Sequence, residues 1–163
     1  MADQEITTLI AENLKGKDRE VALFFTEFLQ SQSLSLIRDR GFWKDKIYYI
    51  VNYQDKGVCY IAVGDPDEPE NRWTVWSDDI DCTDQVDDAM EETALKYVDR
   101  CGHCGSCGGG RRKQIFGHWI NDVCGCTFRV DNPGEDELPF LKKIVELRMD
   151  EIRVKHLENG VKI

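Results

Sequence analysis

Five cysteines and two histidines fall between Cys101 and Cys126, in the stretch CGHCGSCGGGRRKQIFGHWINDVCGC. Cys101, Cys104 and Cys107 form C-x2-C-x2-C, and Cys124 and Cys126 form C-x-C further along. Thiolates are the usual ligands of closed tetrahedral zinc sites. Short glycine-containing loops let successive thiolates turn towards one centre while a separate strand supplies the fourth. The spacing predicts a zinc site made by Cys101, Cys104, Cys107 and Cys124, with Cys126 as the substitute for Cys124 and His103 able to replace one thiolate. The pattern lacks the paired C-x2-C knuckles of a zinc ribbon, so other chemistries compete. An iron–sulfur cluster fits the C-x2-C-x2-C run, although no C-x3-C-P completion follows. A thiol–disulfide pair is a second alternative, but redox C-x2-C pairs favour helix N-termini, and Cys101 is expected to follow a helix C-terminus. In the plainest alternative Cys124 and Cys126 are core thiols and the loop cysteines are unligated.

Directly after the last loop cysteine come Gly108, Gly109, Gly110, Arg111, Arg112 and Lys113. Backbone N–H groups of a glycine-rich turn followed by cations suit a phosphate or carboxylate, which makes Arg111, Arg112 and Lys113 a candidate site for a small anionic ligand. It is not a P-loop, since no Lys-Ser/Thr follows. In this acidic chain the competing expectation is that the three cations screen the thiolate site or pair with an acidic helix. Asp79-x-Asp81-x-Thr83 resembles the D-x-D-x-T of haloacid-dehalogenase-like phosphatases, which implies a carboxylate nucleophile and a second carboxylate as acid/base. Such an enzyme requires a parallel doubly wound sheet, and the order of elements here does not provide one. The same acids lack the glycine and glutamate of a calcium loop. His118 and His156 stand apart from any nucleophile in sequence.

A chain of 163 residues with 41% hydrophobic side chains suffices for one core. The formal charge of -10 argues against a nucleic-acid partner, because phosphate neutralisation needs a basic face. No basic leader precedes an apolar run and no stretch is long enough to span a bilayer, so the expected location is the cytosol. Seven cysteines, five of them tightly spaced, favour metal or redox chemistry over a disulfide framework there.

The elements that must position these residues follow from periodicity. Ile6, Leu9, Ile10 and Leu14 predict a helix over about 4–15, ended at Gly16. Asp18 is the expected cap of a second helix, whose stripe is Val21, Phe24, Phe25, Phe28 and Leu29. Residues 31–40 are ambiguous. Strands over 46–53 and 58–64 flank a turn at Asp55-Lys56-Gly57, and their apolar faces predict a central hairpin. Trp73–Trp76 is a third strand. An acid-rich helix is expected over 84–99, with Val86, Ala89, Met90, Thr93, Ala94 and Tyr97 inward, running straight into Cys101. Arg112–Phe116 and Val123–Val130 are late strands. On the second, Cys124, Cys126, Phe128 and Val130 should share one face by the two-residue period. A last helix begins near Leu138, with Leu141, Ile144, Val145, Met149 and Ile152 inward, and frays before Ile163.

The stretch CTFRVDNPGEDELPFLKKIVELRMDEI resembles the closing strand, proline turn and helix of the small bacterial YdhG-like α/β domains. That resemblance implies their layout of N-terminal helices, antiparallel strands and a closing helix, and no catalytic residue. The cysteine cluster lies outside the shared pattern. The expected fold is therefore one two-layer α+β domain spanning 1–163. An antiparallel sheet of four to five strands is packed by N-terminal and C-terminal helices, and the Cys-rich loop is inserted between a helix and a late strand. The expected function is a zinc-stabilised binding or regulatory module acting on a protein or small anionic ligand. The alternative is an iron–sulfur or thiol-redox protein, or an enzyme using the Arg111-Arg112-Lys113 site.

Overall fold

The computed structural model describes residues 2–39, 47–65, 68–83, 86–102 and 109–161. Helix α1 (Ala2–Asn13) and helix α2 (Gly16–Ser31) form where apolar residues recur at helical spacing, and Ile6, Ile10, Leu14, Val21, Ala22, Phe25 and Leu29 are buried. The α2 stripe is narrower than predicted. Phe24 stays about half exposed, with the Lys142 ammonium 4.6 Å from its ring centre. Nor does Asp18 cap the helix. Lys15 occupies that position without a side-chain bond, while Asp18 sits in the first turn and pairs with Arg72.

The ambiguous segment becomes strand β1 (Ser35–Asp39), the edge of the sheet beside β2 (Tyr48–Tyr53). A two-residue turn joins β2 to β3 (Lys56–Val63). Its residues Gln54 and Asp55 both adopt positive φ, the conformation that matches strand twist in tight hairpins. The turn is thus one position earlier than the Asp55-Lys56-Gly57 signal suggested. Gly57 lies in β3, where a Cβ would overlap the Asp78 carboxylate. Strand β4 (Trp73–Ser77) follows β3, so the β2–β3 hairpin is central, as its two apolar faces require.

Helix α3 (Asp88–Lys96) is shorter than expected. Asp87 is its N-cap, accepting from Met90 N at 2.8 Å, and of its predicted stripe only Ala94 is fully buried. The chain leaves the helix at Tyr97, whose carbonyl accepts from Arg129 N at 3.0 Å, and continues as strand β5 (Val98–Arg100). Cys101 therefore follows a strand, not a helix. Strand β6 (Arg111–Ile115) turns through Phe116-Gly117 into the long strand β7 (His118–Asp131). The antiparallel sheet has seven strands, more than the four or five expected, because β1 and β5 lack strand-like alternation in the sequence. Its path is β1-β2-β3-β4-β7-β5, with β6 also on β7.

Helix α4 (Leu138–Val161) closes the chain, with Leu141, Ile144, Val145, Met149 and Ile152 buried. Phe140 meets Phe128 of β7 edge-to-face at 5.2 Å, which docks α4 on the sheet. The main core takes residues from all four helices and one sheet face. A smaller cluster of Tyr48, Ala62 and Trp76, with Ile50, Tyr60 and Cys126 packed on it, contains strand residues alone. No helix among the described residues is long and apolar enough to cross a membrane.

Candidate metal centre

Strand β7 is too long to pair with one neighbour throughout. Its C-terminal end pairs with β4 from Thr74↔Asp131 to Trp76↔Arg129, and its N-terminal part pairs with β6 from Ile115↔His118 to Arg111↔Val123. Between them the strand is irregular. On the opposite edge Val98 faces Phe128 while Arg100 already faces Val123, so Cys124, Gly125, Cys126 and Thr127 bulge against Asp99 alone. Thr127 completes the bulge with φ of 59°, an unusual conformation for a β-branched residue.

Specific polar contacts hold it there. Ser77 Oγ donates to Cys126 O and accepts from Phe128 N at 3.1 Å. Thr127, fully buried, accepts from Lys113 Nζ at 2.9 Å and from Ile80 N at 3.5 Å. The bulge overturns one expectation directly. Phe128 and Val130 face the main core, but Cys126 packs with Tyr60 and Trp76 in the second cluster. The left-handed Thr127 breaks the two-residue period, so Cys126 and Phe128 do not share a face.

Cys101 stands at the end of β5, its N–H donating to Asp122 O at 2.7 Å. Gly110 approaches the same point: a Cβ there would lie 2.7 Å from Cys101 Cβ and 2.8 Å from the Asp122 backbone. Glycine is required by this close approach. The two ends of the 102–109 loop are thus brought together at Asp122, two residues before Cys124. His103, Cys104 and Cys107 lie outside the described residues. Among the described residues no three His, Cys, Asp or Glu side chains form a metal-holding group, so a metal here needs ligands from 103–108.

Cys101, Cys124 and Cys126 are half-buried, in contrast to the fully buried Cys59 and Cys82. Burial pushes the Cys126 thiol up to about 12, and the neighbouring Cys124, Asp78 and Asp99 add to the shift. Burial also raises Asp99 above its ordinary value, against the opposing pull of the Arg129 guanidinium and the Cys124 thiol. Beyond Cys126, Asp78 accepts from Tyr60 Oη at 2.8 Å, continuing a line of polar groups along the sheet.

The candidate anion site is built differently from its sequence pattern. Arg111 and Lys113 both pair with Asp79, the latter at 2.6 Å with its side chain only 14% exposed, and Arg112 stacks over Trp119 at 4.9 Å. A recess of about 290 Å³ is lined by these three cations, Ile80, and the acids Asp79, Asp81 and Glu151. Three formal positive charges meet three negative ones, so the recess has no excess of cation. Burial raises the Asp79 carboxyl, but the hydrogen bonds from Lys113 and Arg111 outweigh this and hold it below its ordinary value. Asp81 accepts from Thr83 N at 3.0 Å as a local turn. The D-x-D-x-T residues thus lie on the link between an antiparallel strand and α3, not at the end of a parallel one. His118 pairs with Glu91, and His156 is exposed on α4.

Sequence reasoning missed Asp99, Ser77 and Thr127, which shape the thiol environment. One signal was present: Gly125 interrupts an otherwise strand-like run, and such a glycine marks a bulge. No family model, curated protein or solved structure matches the chain.

Proposed function

We propose that this chain is a zinc-stabilised binding or regulatory module, with a site formed by Cys101, Cys104, Cys107 and Cys124. The reading rests above all on the C-x2-C-x2-C spacing and on the meeting of Cys101 and Gly110 at Asp122, two residues before Cys124 in the sequence. Cys124 is preferred to Cys126 as fourth ligand because Cys126 packs with Tyr60 and Trp76 in the second cluster. A loop with five glycines between Cys101 and Arg111 has little means of ordering itself, and metal-binding energy in such a site is folding energy. A reducing cytosol keeps such thiolates available. The YdhG-like layout belongs to the same proposal, as a small bacterial scaffold carrying an added metal loop. Its partner is a protein or a small anionic ligand.

Elemental analysis of anaerobically purified, tag-free protein tests this, with about one zinc per chain and no visible absorbance expected. Cys104→Ser should lose the metal and melt several degrees lower. Unchanged metal content and melting in that variant would remove the proposal, and iron with sulfide would replace zinc by a cluster.

A further inference from the structure

We propose that the recess beside β6 binds a small zwitterion of the amino-acid type, with its carboxylate on Arg112 and its ammonium group on Asp81. The proposal goes beyond the metal reading above and needs neither the metal nor residues 103–108. Six charged side chains line the recess, and four of them are tied to protein partners. Lys113 Nζ donates to one oxygen of Asp79 at 2.6 Å and to Thr127 at 2.9 Å, and Arg111 pairs with the other oxygen of the same carboxylate. Glu151 holds Arg148 at 3.3 Å and Lys155 at 3.0 Å through one oxygen, and accepts from Asp81 N at 3.2 Å through the other. Two side chains of opposite sign are left. The Arg112 guanidinium lies over the Trp119 ring at 4.9 Å and has no carboxylate partner among the described residues. Asp81 accepts through one oxygen from Thr83 N at 3.0 Å and has no cationic partner among the described residues.

A guanidinium and a carboxylate thus line one recess without pairing with each other. A simple anion would satisfy Arg112 and be repelled by Asp81, and a simple cation would do the reverse. The ligand that suits both carries both charges. Its carboxylate belongs on Arg112, because a planar guanidinium offers parallel N–H donors to two oxygens, and stacking on Trp119 steadies that plane. Its ammonium group belongs on Asp81, which has an oxygen to spare. The size agrees, since about 290 Å³ lies at the lower limit of ligand sites and fits an amino acid rather than a larger cofactor. The wall is built before the ligand arrives. Lys113, with its side chain 14% exposed, ties Asp79 to Thr127, and Thr127 in turn accepts from Ile80 N at 3.5 Å.

Amide chemical-shift titration of the isotope-labelled full chain with glycine, β-alanine and γ-aminobutyrate tests this, because the three differ only in the spacing of their charges. Saturable shifts are expected at residues 79–81, 111–113 and 151, with one spacing preferred. The Kd of that amino acid should be about 1 mM. Acetate and ethylamine, which each carry one of the two charges, should bind at least about tenfold more weakly. Arg112→Gln should bind the preferred amino acid no better than the parent binds ethylamine, and Asp81→Asn no better than the parent binds acetate. Both side chains belong to exposed residues, so the folded spectrum should persist in each variant. Acetate binding the parent as tightly as the amino acid makes this a plain anion site and overturns the proposal. So does the lack of any saturable shift, or binding that survives both substitutions. Zinc content measured on the same samples judges the metal reading separately, and either result there leaves the titration decisive.

Discussion

Strands β1 to β4 and strands β5 to β7 belong to one sheet but are held in register by different means. In the first group, residues alternate between faces almost without interruption: Tyr49, Val51, Ile61, Val63, Trp73 and Val75 face the main core, and Tyr48, Ala62 and Trp76 the second cluster. A slip by one residue would reverse every one of these positions, so hydrophobic burial alone specifies the pairing. In the second group β7 carries a four-residue bulge and positive φ at Asp122 and Thr127. Register there depends on single polar side chains, namely Ser77, Thr127, Lys113 and Asp79. Their thiols differ accordingly. Cys59 is enclosed in the core, while Cys124 and Cys126 sit half-open in the irregular region, although burial raises the Cys126 thiol as well. Function is expected where the period breaks, because the regular strand β3 encloses its thiol in the core.

The largest effect should come from the regular half. Ile61→Ala, at a site 1% exposed, is expected to cost about 2–5 kcal/mol in urea unfolding. Relative alkylation rates at Cys124 and Cys126 should not change in the native protein. A selective rise there would break the distinction between the halves. Lys113→Met comes next. It removes the bonds to Asp79 and Thr127 and should cost about 1–3 kcal/mol, with faster alkylation of Cys124 and Cys126 as the bulge loosens. A stable variant with unaltered thiol reactivity would show that the bulge does not need this anchor. The smallest effect is alkaline. Burial and the Glu137 hydrogen bond raise Tyr97 to about 12, from an ordinary value near 10. The unfolded chain then ionises first, so the contribution is complete below pH 10 and is lost as pH rises towards 12. Solvent screening limits the loss to about 1 kcal/mol, and Tyr97→Phe should flatten that part of the stability–pH curve.

Much of the scaffold was legible because helices and the central hairpin are specified by apolar period. The stripes of α1 and α4 and the interior position of β2 and β3 follow from residue order. Strand β5 was not legible, since Tyr97, Val98, Asp99 and Arg100 satisfy a helical pattern equally well until Arg129 N and Phe128 offer partners. The fate of Arg111 and Lys113 was also hidden, as Asp79 lies more than thirty residues earlier in the chain. By itself the sequence determined an α+β fold and a cluster of thiols with metal-ligand spacing, because both depend on local order and composition. Tertiary structure alone decided that Cys124 and Cys126 occupy a bulge rather than one face of a strand. That outcome required Ser77, Ile80 and Lys113 to converge on Cys126, Thr127 and Phe128 from distant segments, and long-range hydrogen bonding has no signature in a single run of residues.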